Sequence, residues 1–233
     1  HVGLRIGHAG AIGEEDQRRD PDASRDEQHR LIAILRGLDA ETCLKVAGAL
    51  CEGGIRLLEV TFDQTKDPRA TTEAIERIAE QYAGRMLVGV GTVLTVRQAD
   101  QAADAGATFL ISPDVNAEVI RRTVERGLVS MPGAMTPTEI AAAHREGADY
   151  VKVFPAGQMG PGYAKAVRAP LSHIRLLAVG GISKANVADY LMSGYCGAGV
   201  GGNLVNREWI AAGRYDLVTQ EAQAFVQSLP GYD

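Results

Sequence analysis

Short apolar runs and longer amphipathic stretches alternate along this chain from about residue 31 to its end. Each unit begins with a run rich in Leu, Ile and Val and continues through a turn that contains Gly or Pro. It ends in an Ala-rich stretch of helical periodicity that stops near a Gly. Such a run predicts a buried strand, and the stretch after it predicts a helix that covers the strand. The pattern therefore predicts an α/β fold.

The unit occurs eight times, which indicates a closed barrel. The predicted strands are Leu31–Leu35, Arg56–Phe62, Met86–Val90, Thr108–Ile111, Leu128–Met131, Tyr150–Phe154, Arg175–Val179 and Ala198–Val200. Eight strand–helix units in a chain of 233 residues fit a (β/α)8 TIM barrel. A doubly wound open sheet shows the same alternation and is the alternative, but no point of reversal is evident along the chain.

Residues at the predicted helix ends support this division. Left-handed residues are expected just before the strands at Gly54, Gly84, Gly106, Gly127, Gly147 and Gly194. The segment Thr136-Pro137-Thr138-Glu139 predicts a helix that begins with a hydroxyl cap, a first-turn Pro and an early acid. Asp114 and Ser183 are predicted to cap two further helices.

The first part of the chain lacks the repeated pattern. Within residues 1–27, Gly and His give way to a charged run with little apolar periodicity. We expect residues 1–27 to form an N-terminal extension, part of it as a capping helix. Residues 28–233 are then a single barrel domain.

Composition and charge narrow the classes of function. The net charge of −5 argues against a nucleic-acid or anionic-membrane partner, because those surfaces need clustered Lys and Arg. No apolar run approaches the roughly 20 residues of a membrane helix, and the amino end does not resemble a signal peptide, so a cytoplasmic location is expected. The odd set Cys43, Cys51 and Cys196 has no metal-ligand spacing, which predicts buried thiols and no metal site.

Lys152 is a charge within an otherwise apolar predicted strand. Strand alternation places it on one face with Tyr150 and Phe154. A lysine is rarely buried without a purpose, and burial lowers its pKa, so that the neutral amine can attack a carbonyl carbon. The structural alternative is a lysine that reaches solvent or pairs with a carboxylate inside the barrel.

Two further side chains could share a site with Lys152 at the carboxyl ends of the strands. Glu59 interrupts the second run, where it is either a proton-transfer group or a partner in a structural ion pair. Arg36 follows the first run and could hold a substrate carboxylate through two parallel hydrogen bonds, although it could equally be an exposed loop residue.

Gly-Gly pairs follow the seventh and eighth predicted strands, as Gly180-Gly181 and Gly201-Gly202. Phosphate sites in barrels of this kind are built by these two loops, where backbone N–H groups approach the phosphate because side chains are missing. The two pairs therefore predict a phosphate site, with plain turn chemistry as the alternative.

These residues resemble a known family, the class I aldolases that cleave 2-keto-3-deoxy-6-phosphogluconate (KDPG) and 4-hydroxy-2-oxoglutarate (KHG). The similarity extends from about Leu31 to the carboxyl end and leaves out residues 1–27. It rests on Leu58-Glu59-Val60-Thr61, Gly89-Val90-Gly91-Thr92-Val93-Leu94, Ile111-Ser112-Pro113, Met131-Pro132-Gly133, Lys152-Val153-Phe154-Pro155, Gly180-Gly181-Ile182 and Gly201-Gly202.

The resemblance implies a role for each matching residue. Lys152 would form a Schiff base with a 2-keto acid, and Glu59 would act as the acid/base group. The implied substrate contacts are Thr92, Pro113, Phe154 and Val179, and the implied phosphate contacts are Gly180, Gly181, Gly201, Gly202 and Asn203. The iminium would serve as the electron sink, so neither a metal nor a cofactor is expected.

Three positions depart from the family's commonest pattern. Many members have an arginine for the keto-acid carboxylate where this chain has Asp63, while others carry it on the first strand, as Arg36 does here. Val179 replaces a Thr found in members that act on the gluconate-derived sugar and matches members that act on its galactonate epimer. Asn203 stands where Ser is frequent and retains a donor for a phosphate.

The resulting expectation is an aldolase that cleaves a gluconate- or galactonate-derived 2-keto-3-deoxy-6-phospho sugar acid to pyruvate and glyceraldehyde 3-phosphate. 4-Hydroxy-2-oxoglutarate is a further candidate substrate. The alternatives are another sugar-phosphate barrel enzyme, such as an isomerase, epimerase or synthase, and a non-catalytic sugar-phosphate sensor. The resemblance also implies a homotrimer.

Overall fold

The computed structural model describes residues 30–231, in which parallel strands alternate with helices. The strands are β1 Leu31–Leu35, β2 Leu57–Thr61, β3 Leu87–Gly91, β4 Phe109–Ile111, β5 Val129–Met131, β6 Gly133–Ala134, β7 Val151–Val153, β8 Leu176–Val179 and β9 Gly197–Val200. The helices are α1 Ala40–Glu52, α2 Arg69–Gln81, α3 Val96–Asp104, α4 Ala117–Glu125, α5 Pro137–Arg145, α6 Ala156–Met159, α7 Gly162–Arg168, α8 Val187–Met192, α9 Arg207–Ala211 and α10 Tyr215–Gln227.

The sheet closes into a barrel through its fifth strand, which is divided at Pro132. Along the sheet the strands follow the order β5-β4-β3-β2-β1-β9-β8-β7-β6, and every pair is parallel. β5 pairs with β4 and β6 pairs with β7. Because only Pro132 separates β5 from β6, these two short strands form one barrel strand and join the ends of the sheet. Proline has no N–H to donate, which explains the break in strand pairing.

Strand alternation places an apolar layer in the lower half of the barrel interior. It is a buried cluster of side chains from seven positions: Ile32, Leu57, Phe109, Ile111, Met131, Tyr150 and Leu177. Two residues farther along β2 and β7, the same inward face carries Glu59 and Lys152. The charged groups therefore lie above this layer, at the end of the barrel where the strands finish.

Most of the sequence predictions about the fold are confirmed. The eight predicted strands are present with boundaries within one residue, except that the fifth continues through Gly133–Ala134. The six predicted helix-end glycines all have positive φ, and Thr136 forms a capping box with Glu139. The predicted caps at Asp114 and Ser183 are wrong. The Asn116 side chain caps α4 instead, and Ser183 donates its backbone N–H to Asn186 Oδ1.

The cysteine prediction is confirmed only in part. Cys43, Cys51 and Cys196 are free thiols, but only Cys43 is buried, and the other two are partly exposed. The predicted extension, residues 1–27, lies outside the described residues. Within residues 30–231, no helix is long and apolar enough to span a membrane.

Candidate active site

A pocket opens at the carboxyl ends of the barrel strands, with a volume of about 330 Å³. Every site residue predicted from the sequence lines it: Arg36, Glu59, Thr92, Pro113, Lys152, Phe154, Val179, Gly180, Gly181, Gly201, Gly202 and Asn203. Ile34, Ile182 and Gly199 complete the lining. Residues separated by more than 160 positions in the sequence thus meet in one cavity, because parallel strands all end at the same face of a barrel.

Lys152 reaches this pocket from β7 and is buried, with 7% of its surface exposed. Its Nζ lies 4.8 Å from the centroid of the Phe154 ring, which flanks the amine on the same face of the chain. Burial lowers the pKa of Lys152, and the positive charge of Arg36 acts in the same direction, while Glu59 opposes both. The site therefore favours the neutral, nucleophilic amine more than water does.

Glu59 extends from β2 into the same pocket and is 2% exposed. Burial raises the pKa of its carboxyl group, and the charges of Lys152 and Arg36 lower it in part. The side chain has room because residue 91, on the neighbouring strand, is a glycine. A Cβ atom at Gly91 would lie 1.6 Å from Glu59 Oε1.

The two ionisable groups share the pocket without a direct ion pair. None of the salt bridges within residues 30–231 joins Lys152 to Glu59, although each shifts the pKa of the other. The two groups are thus electrostatically coupled but not paired. The structural alternative considered from the sequence, a paired lysine and carboxylate, is therefore not what the structure has.

Thr92 lies at the pocket wall with a left-handed backbone, at a φ of 58°. This conformation is unfavourable for a β-branched residue, so the surroundings must hold it in place. Gln64 Nε2 donates to the Thr92 carbonyl at 3.0 Å, and Gln98 Nε2 donates to Gln64 Oε1 at 2.8 Å. Gln98 Oε1 in turn accepts from the N–H of Leu94 at 2.8 Å. Sequence reasoning missed both glutamines, since nothing in their local pattern marks them.

Arg36 follows β1 and reaches the pocket with an exposed side chain. Its backbone carbonyl accepts a hydrogen bond of 2.7 Å from Arg207 Nη2, which ties the β1 loop to α9. Asp63, by contrast, does not line the pocket. Its carboxylate accepts from the N–H and hydroxyl of Thr65 and pairs with Lys66 at 3.6 Å.

The Gly-Gly loops after β8 and β9 also line the pocket. Gly180 and Gly181 have φ values of 92° and 79°, and the N–H of Gly157 donates to the Gly180 carbonyl at 2.8 Å. Asn203 Nδ2 donates to the Ile182 carbonyl at 2.7 Å and so joins the two loops. One of its donors is thus already used within the protein.

Pro113 and Val179 shape the remaining walls through close contacts with glycines. A Cβ at Gly133 would lie 2.4 Å from the Pro113 carbonyl oxygen, so the loop after β4 can cross the fifth barrel strand only because residue 133 is glycine. A Cβ at Gly199 would lie 2.9 Å from Val179 Cγ2. The peptide bond between Phe154 and Pro155 is cis.

The part of the chain described by the structure contains no cluster of three or more His, Cys, Asp or Glu side chains able to hold a metal ion. The polar groups of the pocket are instead one amine, one carboxyl, one guanidinium, one hydroxyl, one side-chain amide and bare loop backbone. This donor set suits an anionic, carbonyl-bearing substrate. The fold and the pocket thus define a (β/α)8-barrel protein whose candidate active site holds a buried lysine.

Comparison with known proteins identifies the family. The family model for KDPG and KHG aldolases matches residues 23–221, and the chain belongs to this family of carbon–carbon lyases.

Individual relatives cover most of the chain. A probable 2-dehydro-3-deoxy-6-phosphogalactonate aldolase from Rhizobium meliloti is 43% identical over 75% of this chain and 81% of its own length. A 2-dehydro-3-deoxy-phosphogluconate aldolase from Treponema pallidum is 37% identical over 86% of this chain and 94% of its own length. The crystal structure of the Legionella pneumophila KDPG aldolase, with pyruvate captured as a covalent carbinolamine, matches with a TM-score of 0.76 and 29% identity, covering 84% and 93% of the two chains.

Proposed function

We propose that this protein is a class I aldolase that cleaves a 2-keto-3-deoxy-6-phospho sugar acid to pyruvate and glyceraldehyde 3-phosphate. The observation that carries the proposal is Lys152, a buried lysine with a lowered pKa that faces a buried glutamate at the catalytic end of the barrel. Family membership supports the same reaction.

In the proposed first stage, Lys152 forms the covalent intermediate. Its neutral Nζ attacks C2 of the keto acid, and the carbinolamine loses water to give an iminium. Arg36 holds the C1 carboxylate, and the backbone of Gly180, Gly181, Gly201 and Gly202 holds the phosphate, together with the free donor of Asn203. Thr92, Pro113, Phe154 and Val179 enclose the sugar chain.

In the proposed second stage, Glu59 takes the proton of the C4 hydroxyl, directly or through a water molecule. The C3–C4 bond breaks as its electrons move into the iminium, which releases glyceraldehyde 3-phosphate and leaves an enamine on Lys152. Protonation at C3 regenerates the iminium, and water hydrolyses it to pyruvate and the free amine. The raised pKa of Glu59 suits a group that both accepts and returns a proton near neutral pH.

Reductive trapping tests the nucleophile. The full chain is incubated with pyruvate and borohydride, and the modified residue is located by peptide mass mapping. We expect an adduct on Lys152 and loss of activity. Lys152→Ala should form no adduct and lose most activity, while Lys165→Ala, at an exposed position on α7, should behave as wild type.

An adduct elsewhere, or a normal aldolase rate in Lys152→Ala, would contradict the proposal. If the protein turned over a sugar phosphate but formed no borohydride-trapped adduct, an isomerase, epimerase or synthase would be favoured. Binding without turnover would favour a sensor.

The proposed substrate is the class of 2-keto-3-deoxy-6-phospho sugar acids, which includes the gluconate- and galactonate-derived epimers. 4-Hydroxy-2-oxoglutarate is a further candidate. Val179 offers no hydroxyl to the sugar, which supports the galactonate-derived compound, because a missing hydrogen bond removes one means of preferring the gluconate epimer. Pyruvate release from all three compounds measures the preference. Val179→Thr should shift the ratio of kcat/KM values toward the gluconate epimer by about fivefold, as expected for one hydrogen bond.

We further propose that the enzyme is a cytoplasmic homotrimer. Three unpaired thiols fit a reducing compartment, and the trimer follows from the family resemblance. Light scattering on the eluted protein should give three times the chain mass of 24.7 kDa. A monomer or dimer mass would refute the trimer.

A further inference from the structure

A second cavity lies at the opposite end of the barrel from the candidate active site. It has a volume of about 340 Å³, and residues that immediately precede three strands contribute to it: Arg30 before β1, Arg175 before β8 and Cys196 before β9. Arg168, from the last turn of α7, completes a set of three arginines. The apolar layer described above separates this lower cavity from the catalytic pocket.

The three guanidinium groups converge within the lower cavity. Each of them shifts the pKa of the Cys196 thiol downward, although burial dominates and raises that pKa to about 11. The remaining lining residues are Ser172, Leu176, Leu191, Gly194 and Tyr195. Among the residues that the structure describes, the lining therefore contains three formal positive charges and no carboxylate.

The arginines donate only to neutral acceptors of the described protein. Arg168 Nη1 donates to the Gly194 carbonyl at 3.1 Å, and Arg30 Nη1 reaches the Pro230 carbonyl at 3.5 Å. Arg175 donates to the Asp149 backbone carbonyl and to the Tyr150 hydroxyl, and stacks 4.2 Å above the Tyr150 ring. The Asp149 carboxylate instead accepts from the N–H of Ser130.

Within residues 30–231, these contacts leave most of the guanidinium donors unused, since each guanidinium carries five N–H groups. Arg30 is the strongest case, because only 7% of its surface is exposed and, among the described residues, it makes a single long hydrogen bond. A buried charge without a partner is costly, so buried arginines are normally paired with an anion. The lower cavity supplies the cations for such a pair and the space for the anion.

We propose that the lower cavity is an anion site for a phosphate group, carried by inorganic phosphate or by a small phosphomonoester. A tetrahedral dianion can accept hydrogen bonds from several arginine forks at once, whereas a single carboxylate is matched by one fork. The site is distinct from the proposed catalytic phosphate seat, and its existence does not depend on the aldolase reaction.

The lower cavity and the catalytic pocket share strands. Arg30 precedes β1, which Arg36 follows directly, and Arg175 precedes β8, which Gly180 follows directly. An anion bound at the lower ends of these strands would therefore contact the same elements that carry the proposed carboxylate and phosphate contacts.

The test measures phosphate binding by calorimetry on the full chain at constant ionic strength. All variants carry Gly202→Asp, which adds a carboxylate in open space at the proposed catalytic seat and repels phosphate there. Arg168→Gln removes one fork of the lower cavity. Arg145→Gln, at an exposed position in the last turn of α5, makes the same charge change outside the cavity. Inorganic phosphate and glycerol 3-phosphate are titrated separately to distinguish the two ligand sources.

We expect at least one of the two ligands to bind in the Gly202→Asp background and in the Arg145→Gln control. Arg168→Gln should weaken that binding at least about tenfold. A second measurement needs no variant: wild-type crystals soaked in tungstate, a dense phosphate analogue, should show it among Arg30, Arg168 and Arg175. The proposal would be overturned if neither ligand bound to the Gly202→Asp protein, or if Arg145→Gln weakened binding as much as Arg168→Gln does. It would also be overturned if tungstate bound in the crystals only outside the lower cavity.

Discussion

The close approach of Glu59 to Gly91 shows how one missing side chain makes room for a buried carboxyl group in the candidate site. Burial moves the pKa of Lys152 down and that of Glu59 up, so both shift toward neutrality from opposite sides. This environment exists only because the Glu59 carboxyl occupies the volume that a side chain at residue 91 would fill. Gly91 has ordinary negative-φ geometry, so its requirement for glycine is steric.

We predict that Gly91→Ala reduces kcat about 100-fold while the protein still folds. The added Cβ would displace the Glu59 carboxyl from its position, and misplacement of a catalytic group by about 1 Å costs roughly this factor. Steady-state kinetics with the preferred sugar acid, together with circular dichroism, measures both properties.

Gly162→Ala is the matched control for this prediction. No atom lies within 4 Å of the position that its added Cβ would take, and the residue begins α7, where alanine is tolerated. Its kcat should remain at the wild-type value. Normal activity in Gly91→Ala would show that Glu59 is not placed by this contact.

Among the structural elements, the loop after β2 is tied to the loop after β3 and to the start of α3. The side chains of Gln64 and Gln98 link them, and the link ends on the carbonyl of Thr92, whose backbone is left-handed. A strained residue in a pocket persists when its surroundings hold it. Gln64 is therefore a positioning residue for Thr92.

We predict that Gln64→Ala lowers kcat/KM about tenfold, mainly through KM, because Thr92 loses its backbone restraint and contacts the substrate less often. Gln64→Glu, which keeps an acceptor for Gln98 but donates nothing to Thr92, should not restore activity. Gln223→Ala, exposed on α10, is the control and should be neutral. An unchanged KM in Gln64→Ala would refute the positioning role.

For the protein taken as one folding unit, burial of Lys152 links stability to pH. Its pKa in the folded protein lies below its value in the unfolded chain, near 10.5. Between these two values the folded protein binds fewer protons than the unfolded chain, so this group makes the free energy of unfolding rise with pH. The buried Lys152 amine therefore destabilises the folded protein most at low pH, and this effect disappears above the pKa of the lysine in the unfolded chain.

We predict that Lys152→Met removes the rise of the free energy of unfolding with pH that the buried amine causes. Both proteins are compared in a Glu59→Gln background, so that the amine is the group that differs, and urea unfolding is measured at about pH 8 and about pH 10. Each unit of pKa shift corresponds to about 1.4 kcal/mol. Buried thiols act in the opposite direction, since burial raises the pKa of Cys196 to about 11, but they are common to both proteins and cancel. If the free energy of unfolding changed equally with pH in the two proteins, the lowered pKa of Lys152 would be contradicted.

Much of the fold could be predicted from the sequence because its signals are local. Apolar runs, helix-end glycines and the Thr136 capping box each depend on neighbouring residues, and they located the barrel strands within one residue, except for the end of the fifth. The division at Pro132 was missed, because whether Gly133–Ala134 pairs with β7 depends on a distant strand. The caps at Asp114 and Ser183 were wrong because several polar residues near a helix start compete for the same N–H groups.

Residue type and order were sufficient to predict which residues line the candidate site, while their roles as nucleophile, acid/base group, carboxylate anchor and phosphate contacts stay predictions. These assignments follow from polar residues at strand ends and from family motifs. How the residues meet depends on the tertiary structure. Three features join residues that are far apart in the chain: the fit of Glu59 against Gly91, the Gln64–Gln98 link to Thr92, and the three arginines of the lower cavity. Such contacts leave no periodic or compositional trace, because they depend on the closure of the barrel rather than on neighbouring residues.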